Sequence, residues 1–188
     1  MSSINLSTLS GLAVQPTVYS GSWNISSDVT RTASGDYEFA PTAFTLDTNA
    51  INNNAASLLS TSTTTFAIQF PVSGIWSLSW QQRIGINNVP NNTSVTFSTY
   101  ISNHTYNGRQ ILALGTPTNT SNRAAEQDGV WTNASGNTAG ISMQNTATAV
   151  QEYRAGDIIA PSTFCALGNW VTQAAGCKFM VTLLKRTA

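Results

Sequence analysis

Charged residues are scarce in this sequence. Eight Lys and Arg balance eight Asp and Glu, and the charged fraction is 9%, against about 25% in a typical soluble domain. A nucleic-acid-binding protein clusters its basic residues to neutralise phosphates, whereas these are scattered apart from Lys185-Arg186 near the C-terminus. We interpret that pair as a solubilising end and predict that nucleic acid is not a partner.

Groups for catalysis are equally few. His104 is the only histidine, and its polar surroundings predict an exposed turn rather than the base of a catalytic triad. The acidic pairs Asp36/Glu38 and Glu126/Asp128 have the spacing to share a strand face, but in turn-rich sequence they are predicted to solubilise loops. We therefore predict that the protein is not an enzyme and carries no cofactor.

The sequence contains two cysteines, Cys165 and Cys177, on either side of a predicted hairpin. That arrangement allows a cross-strand disulfide, and it equally allows two buried thiols that act as small hydrophobic side chains. Because there is one histidine and no second cysteine pair, the sequence predicts no metal site.

Long apolar runs are absent as well. No segment approaches the roughly 20 apolar residues that a membrane-spanning helix needs, so we predict no membrane span. No basic region precedes an apolar core near the N-terminus, which predicts that there is no signal peptide. The initial Met1 favours a protein that does not use a Sec-type pathway over a processed secreted form.

Aromatic and aliphatic residues are present in alternating runs. Residues 66–80 read FAIQFPVSGIWSLSW, in which apolar side chains occupy every second position on both sides of a Pro-Val-Ser-Gly corner. This period of two is typical of β-strands. Asn107-Gly108 is a strong hairpin signal, whereas residues 115–140 are polar and are predicted to form an exposed loop with one short strand.

About eight main strands follow one another with polar turns between them, and no long helical period interrupts them. The pattern predicts an all-β fold, a two-sheet antiparallel jelly-roll sandwich. Residues 1–188 are predicted to form a single domain, with an irregular N-terminal arm at about residues 1–10.

Three segments in order resemble the C1q/TNF-like jelly-roll family. They are the strand, Pro-x-x-Gly corner and aromatic strand of residues 66–80, the Gly156-Asp157 turn, and the apolar final strand of residues 177–184. The loop at 115–140 is longer than is usual in the family, and neither a collagen repeat nor a calcium-type acidic cluster is seen. The resemblance implies a homotrimer, with these candidates for the trimer interface or, alternatively, the subunit core: Trp76, Trp80, Tyr100 and Phe179.

Two functions are consistent with these observations. The first is a structural, self-assembling protein, a homotrimeric virion surface or minor capsid component that contacts other capsid proteins. The alternative is an extracellular C1q-like recognition head that binds a glycan or receptor through its exposed polar loops. Trp131 and Trp170 are the candidate loop residues for stacking on sugar rings, although Trp170 equally suits a gap in the core.

Overall fold

β-Strands dominate the computed structural model, which describes residues 17–115 and 122–187. Eight strands of four or more residues form the framework, and five shorter ones extend it. The strands are β1 (Ser20–Ile25), β2 (Val29–Arg31), β3 (Gly35–Glu38), β4 (Phe44–Leu46), β5 (Ile68–Gln69), β6 (Gly74–Val89), β7 (Ser94–Tyr106), β8 (Arg109–Gln110), β9 (Arg123–Thr132), β10 (Ala139–Tyr153), β11 (Ile158–Cys165), β12 (Trp170–Thr172) and β13 (Lys178–Arg186). Two short 3-10 helices, Pro41–Ala43 and Ala55–Leu58, lie between strands.

The strands form two antiparallel sheets. The seven-stranded sheet has the order β2-β12-β6-β13-β1-β4, with β10 paired to the other edge of β6. The six-stranded sheet has the order β3-β11-β7-β8, with β5 on β11 and β9 on β7. This arrangement confirms the predicted all-β, two-sheet sandwich. The predicted arm at residues 1–10 lies outside the described residues.

The core lies between the sheets and is rich in aromatic rings. Alternation along β6 directs Trp76, Leu78 and Trp80 inward, where each is at most 1% exposed. Phe179 on β13 packs edge-on against Trp80, with ring centroids 6.2 Å apart. A second apolar cluster around Ile84, Ile86, Val95, Phe97 and Trp170 fills the other end of the sandwich.

The corner in residues 66–80 is held by the turn that precedes β11. The Phe70 N–H donates to the Asp157 carbonyl (2.9 Å), and the Gly156 N–H donates to the Phe70 carbonyl (2.8 Å). A Cβ at Gly74 would lie 2.5 Å from the Lys185 carbonyl oxygen, a distance that a side chain cannot adopt. Glycine is therefore required where β6 begins beside the end of β13.

Asp157 explains why the Gly-Asp turn and the Asn-Gly hairpin belong together. Its fully buried carboxylate accepts the backbone N–H groups of Arg154 (2.8 Å), Asn107 (2.9 Å) and Gly108 (2.8 Å). Asn107 and Gly108 both have positive φ, 52° and 74°, as the predicted type I′ hairpin turn requires. One carboxylate thus fixes two turns that are about fifty residues apart in the chain.

The predicted exposed loop at 115–140 is wrong for much of its length. Residues 123–132 form β9, and β10 begins at Ala139, while residues 116–121 lie outside the described part. β9 pairs with β7 along one edge only, and Glu126, Asp128 and Val130 are exposed. An edge strand keeps polar residues on its solvent side, so its composition resembles that of a loop.

Candidate assembly surface

The outward side of the seven-stranded sheet is an uncharged surface on β13, β6 and β10. The register places Met180 beside Ser79 and Ser79 beside Thr148; the next row places Thr182 beside Ser77 and Ser77 beside Val150. We call these six residues the neutral face. Because inward and outward side chains alternate along β6, the same strand that supplies the tryptophans of the core supplies Ser77 and Ser79 to this face.

The neutral face and its edge have apolar side chains that the described chain leaves partly exposed. Val150 is 62% exposed and Met180 is 37% exposed. Leu184, which lies at an irregularity of the β13–β6 register between Leu183 and Lys185, is 56% exposed. Single exposed apolar residues are ordinary, but here they share one sheet face.

The hydroxyl groups of this surface are also unused. Within residues 17–115 and 122–187, the side chains of Ser77, Ser79, Thr148 and Thr182 make no hydrogen bond to other protein groups. Charged residues appear only at the ends of the face. The row at one end contains Lys178, and the other end has Glu152 and Lys185 on either side of Ile75.

The outward side of the six-stranded sheet has the opposite character. Arg123 ion-pairs with Asp36 at 3.2 Å and also with Glu126, and its guanidinium lies 3.7 Å above the Tyr100 ring. The Ser98 hydroxyl donates to Asp128. We call this set, with Tyr100, the charged face.

Burial alters the titration of two groups on the charged face. Partial burial raises the pKa of the Glu126 carboxyl, with a further increase from Asp128, while Arg123 opposes both. Burial, together with the hydrogen bond that the Tyr100 hydroxyl donates to Asp36 (2.7 Å), raises the pKa of Tyr100 far above its usual range.

A buried ion pair lies beside the charged face. The His104 Nε2 is 2.7 Å from the Glu38 Oε1, and each side chain is only 1% exposed. The predictions of an exposed turn histidine and of a solubilising Glu38 are therefore wrong. His104 lies in β7, and the residue that pairs with it is 66 positions away, so no local sequence pattern could have indicated the contact.

The four candidates for the interface or core are all buried within one chain. Trp76, Trp80 and Phe179 are fully buried and lie in the core between the sheets. Tyr100 is also fully buried, but it lies on the outward side of β7 beneath Arg123. None of the four has surface left for a neighbouring subunit, whereas Val150 and Met180 on the neutral face are exposed.

The two loop candidates also lie in strands. Trp170 begins β12 and is fully buried; its indole N–H donates to the Ala33 carbonyl at 3.2 Å. Trp170 therefore does not lie in an exposed loop; it lies in the core, which is the alternative that the sequence left open. Trp131 lies in β9 opposite Val95 and packs, partly buried, against the second core cluster.

The cysteines are two buried thiols rather than a disulfide. The Cys177 thiol donates to the Gln173 carbonyl at 2.9 Å, and burial raises its pKa to about 11. Burial also raises the pKa of Cys165. Neither thiol has the depressed pKa and exposure of a reactive cysteine.

The described part of the chain contains no metal-binding cluster, and one apolar groove beside β4 is uncharged. Among the described residues, no three or more His, Cys, Asp or Glu side chains are grouped so as to hold a metal ion. An apolar groove of about 190 Å³ lies between β4 and the segment before β5, lined by residues that include Trp23, Phe44, Leu46 and Leu59. None of its lining residues is charged.

Comparisons with known proteins bear on the fold. No protein-family model matches the chain, and no curated protein matches it as a relative. Among solved structures, the chain is similar to Eiger TNF from S. frugiperda, with 12% sequence identity and a TM-score of 0.53, over 92% of this chain and 96% of that one. Within the described residues, no helix has the length and apolar character needed to cross a membrane. The comparison, together with the sheet order, shows a TNF-like jelly-roll fold.

Proposed function

We propose that this chain is a structural, self-assembling protein whose functional unit is a homotrimer, and that the neutral face is part of the subunit contact. The observation that carries the proposal is the uncharged outward surface of β13, β6 and β10, with Met180 and Val150 exposed on the two strands that flank β6. Fully burying a side chain of this kind contributes about 1.5–3 kcal/mol.

The difference between the two outward surfaces favours the neutral face. Packing a second subunit on the charged face would desolvate Asp36, Glu126 and Asp128 against a single Arg123, and buried charges without partners cost several kcal/mol. On the neutral face, a second subunit would displace water only from uncharged hydroxyl groups, which can form hydrogen bonds across the contact instead. Its lack of charge also removes electrostatic repulsion between copies.

The size of the face fits a ring better than a two-fold dimer. Three strands with two outward residues each cover on the order of 200 Å², whereas a stable contact covers about 800 Å² per partner. In a cyclic trimer each subunit contributes two different surfaces. The neutral face would then pack on another part of its neighbour, and flanking residues would complete the area.

The test compares one residue type on the two outward surfaces. Val150 on the neutral face and Val130 on β9 are 62% and 66% exposed, so Val150→Lys and Val130→Lys are matched variants. Native mass spectrometry and light scattering should give about 60 kDa, three times 20.0 kDa, for the wild type and for Val130→Lys. Val150→Lys should shift toward 20 kDa.

Two results would contradict the proposal. A wild-type protein that stays monomeric at micromolar concentration would contradict the proposed trimer. A trimer that is lost in Val130→Lys and kept in Val150→Lys places the contact on the other sheet.

Where such a trimer acts is also part of the proposal. We infer a virion surface or minor capsid role from the self-assembling surface and from the lack of a catalytic arrangement in the described residues; co-purification with particles would support it. The recognition head stays a prediction with less support, because Trp170 is buried and Trp131 lies in a strand. Specific glycan binding that is lost in Trp131→Ala would favour it.

A further inference from the structure

A short segment crosses the outward side of the six-stranded sheet next to the buried Glu38–His104 pair. We call residues 107–115 the strap. It begins at the Asn107-Gly108 turn, which Asp157 fixes, and none of its residues is buried. Its apolar residues Ile111, Leu112 and Leu114 are partly buried, so apolar contacts and hydrogen bonds together hold its far end in place.

The far end of the strap is held by hydrogen bonds to two residues. Within the described chain, every hydrogen bond made by residues 111–115 ends on Glu38 or His104. The N–H groups of Ile111 and Leu112 donate to the His104 carbonyl, at 2.8 and 3.3 Å. The Gly115 N–H donates to Glu38 Oε2 at 3.0 Å, and His104 Nδ1 lies 3.3 Å from the Leu112 carbonyl.

These contacts fix how many protons the pair holds when the strap is closed. A carbonyl oxygen only accepts, so Nδ1 must carry a hydrogen to bond Leu112. One further proton must lie between Nε2 and Glu38 Oε1, because two facing lone pairs would repel. The closed arrangement therefore needs the His104–Glu38 pair to have no net charge. Together the two side chains then hold one proton more than a neutral imidazole beside an ionised carboxylate.

We propose that Glu38 and His104 form a proton-controlled clasp that holds the strap against the six-stranded sheet and releases it when the pair gains or loses one proton. Gaining a proton places a hydrogen on Glu38 Oε2, because Oε1 already faces the hydrogen of Nε2, and the new hydrogen competes with the Gly115 N–H. Losing a proton leaves one hydrogen on the ring; the carboxylate holds it on Nε2, so a bare Nδ1 lone pair faces the Leu112 carbonyl. Either change breaks a hydrogen bond that ties the strap.

The direction of the pH effect follows from the open state, in which both groups meet water. A solvated imidazole loses its proton around pH 6.5 and a solvated glutamic acid around pH 4.3. Above the first value the open state holds fewer protons than the closed state, so rising pH favours opening. Below the second it holds more, so falling pH favours opening as well. The strap is most firmly closed between roughly pH 4.3 and 6.5.

Other charged groups surround the clasp and are part of the same environment. Asp36 on β3, Tyr100 on β7, and Arg123 with Glu126 on β9 lie on the same side of the sheet. β11 contributes Ser162 opposite Glu38, which does not titrate. In the strap itself, Arg109 is exposed.

The chain contains a matched internal control. The Gly115 N–H donates to Glu38, which His104 contacts, whereas the Gly108 N–H donates to Asp157 at 2.8 Å, and Asp157 has no histidine partner. Hydrogen exchange of the two glycine amides is measured by NMR on the whole protein and corrected for intrinsic rates. The protection of each amide reports the strength of its hydrogen bond to Glu38 or Asp157. Between pH 6.5 and 8.5 we expect the protection of Gly115 relative to Gly108 to fall by up to about tenfold per pH unit.

Two variants and one direct observation complete the test. Glu38→Gln removes the charge but keeps an acceptor, so the relative protection of Gly115 should become independent of pH between 6.5 and 8.5. His104→Gln should do the same. In the wild type at pH 5.5, the ring ¹⁵N and ¹H signals should show a hydrogen on Nδ1. Two results would overturn the clasp: a ratio of Gly115 to Gly108 amide protection that stays constant from pH 5 to 8.5 in the wild type, or an Nδ1 without a hydrogen at pH 5.5.

Discussion

The outward surfaces of the two sheets differ in how their polar groups are satisfied. On the six-stranded sheet, carboxylates, a guanidinium and Tyr100 bond to one another, and Arg123 covers the tyrosine ring. On the seven-stranded sheet, serine and threonine hydroxyls alternate with Val150 and Met180 and bond to no other protein group within the described residues. Most polar groups of the first surface therefore bond within the chain, whereas the hydroxyl groups of the second are left to water or a partner.

The difference shows where this chain places its charges. This chain has few of them, and five of its acidic and basic side chains are concentrated on one outward surface as Asp36, Arg123, Glu126, Asp128 and the adjacent Glu38. A surface with three carboxylates and one arginine loses hydration of those charges when a partner covers it. A neutral surface with exposed apolar atoms gains from every contact that excludes water.

The largest change should come from breaking the buried pair next to the charged face. Glu38→Leu leaves His104 without its carboxylate and Gly115 without its acceptor, and removing one member of a buried ion pair costs about 3–5 kcal/mol. Urea unfolding at pH 6 measures the loss. The double variant Glu38→Leu/His104→Phe should recover much of it, because two apolar side chains leave no unpaired charge. A single variant that loses less than about 1 kcal/mol would mean that the pair is structurally unimportant.

A smaller change is expected from Arg123→Met on the charged face. Asp36 and Glu126 would lose the cation between them. The pKa of Glu126 should rise further, because Arg123 would no longer oppose the increase caused by burial and Asp128. Both carboxylates are partly exposed, so we expect a loss of about 1–2 kcal/mol at pH 7 that shrinks near pH 3. Urea unfolding at the two pH values tests this. Arg109→Met, which alters an exposed arginine of the strap, is the control and should change stability by less than about 0.5 kcal/mol.

The smallest change concerns the charged end of the neutral face. The Lys178 ammonium donates to Asp47 at 2.7 Å, and this hydrogen bond holds the pKa of Asp47 below its ordinary value. A lowered folded-state pKa contributes stability above the ordinary value, near pH 4, and that stability is lost as pH falls through the folded value. Lys178→Met should therefore be less stable than the wild type at pH 6, and the gap should close toward pH 2. Thermal unfolding across this range measures it, with Lys185→Met as the control; a gap that stays constant with pH would contradict the assignment.

Local patterns were sufficient to predict the strands whose faces differ clearly. Residues 74–80 alternate between large apolar and small polar side chains, and they form the first half of β6. Asn107-Gly108 has the backbone freedom that a two-residue hairpin needs, and it forms the predicted turn. For residues 115–140 only one short strand in a loop was predicted, whereas β9 has ten residues, because an edge strand contacts the sheet on one side only and selection for apolar residues is weak along it.

The contacts of single side chains could not be predicted in the same way. Trp170 follows a Gly-Asn pair and looks like a loop residue, but the pairing of β12 with β6 carries it into the second core cluster. His104 lies in a polar segment, and it is buried only because β3 and the strap meet at that point. In both cases the environment of the side chain is supplied by residues that are distant in the sequence.

The sequence alone determined the all-β class and the corner at residues 66–80, because a period of two separates the faces of a strand before any partner is present. Only the tertiary structure decided which outward surface stays neutral and which side chains pair within the chain. It also decided that the four candidates for the interface or the core, Trp76, Trp80, Tyr100 and Phe179, are buried in one subunit. The reason is the register between strands. Ser79 becomes a neighbour of Met180 and Thr148, and Glu38 a neighbour of His104, only after sheets form between segments far apart in the chain.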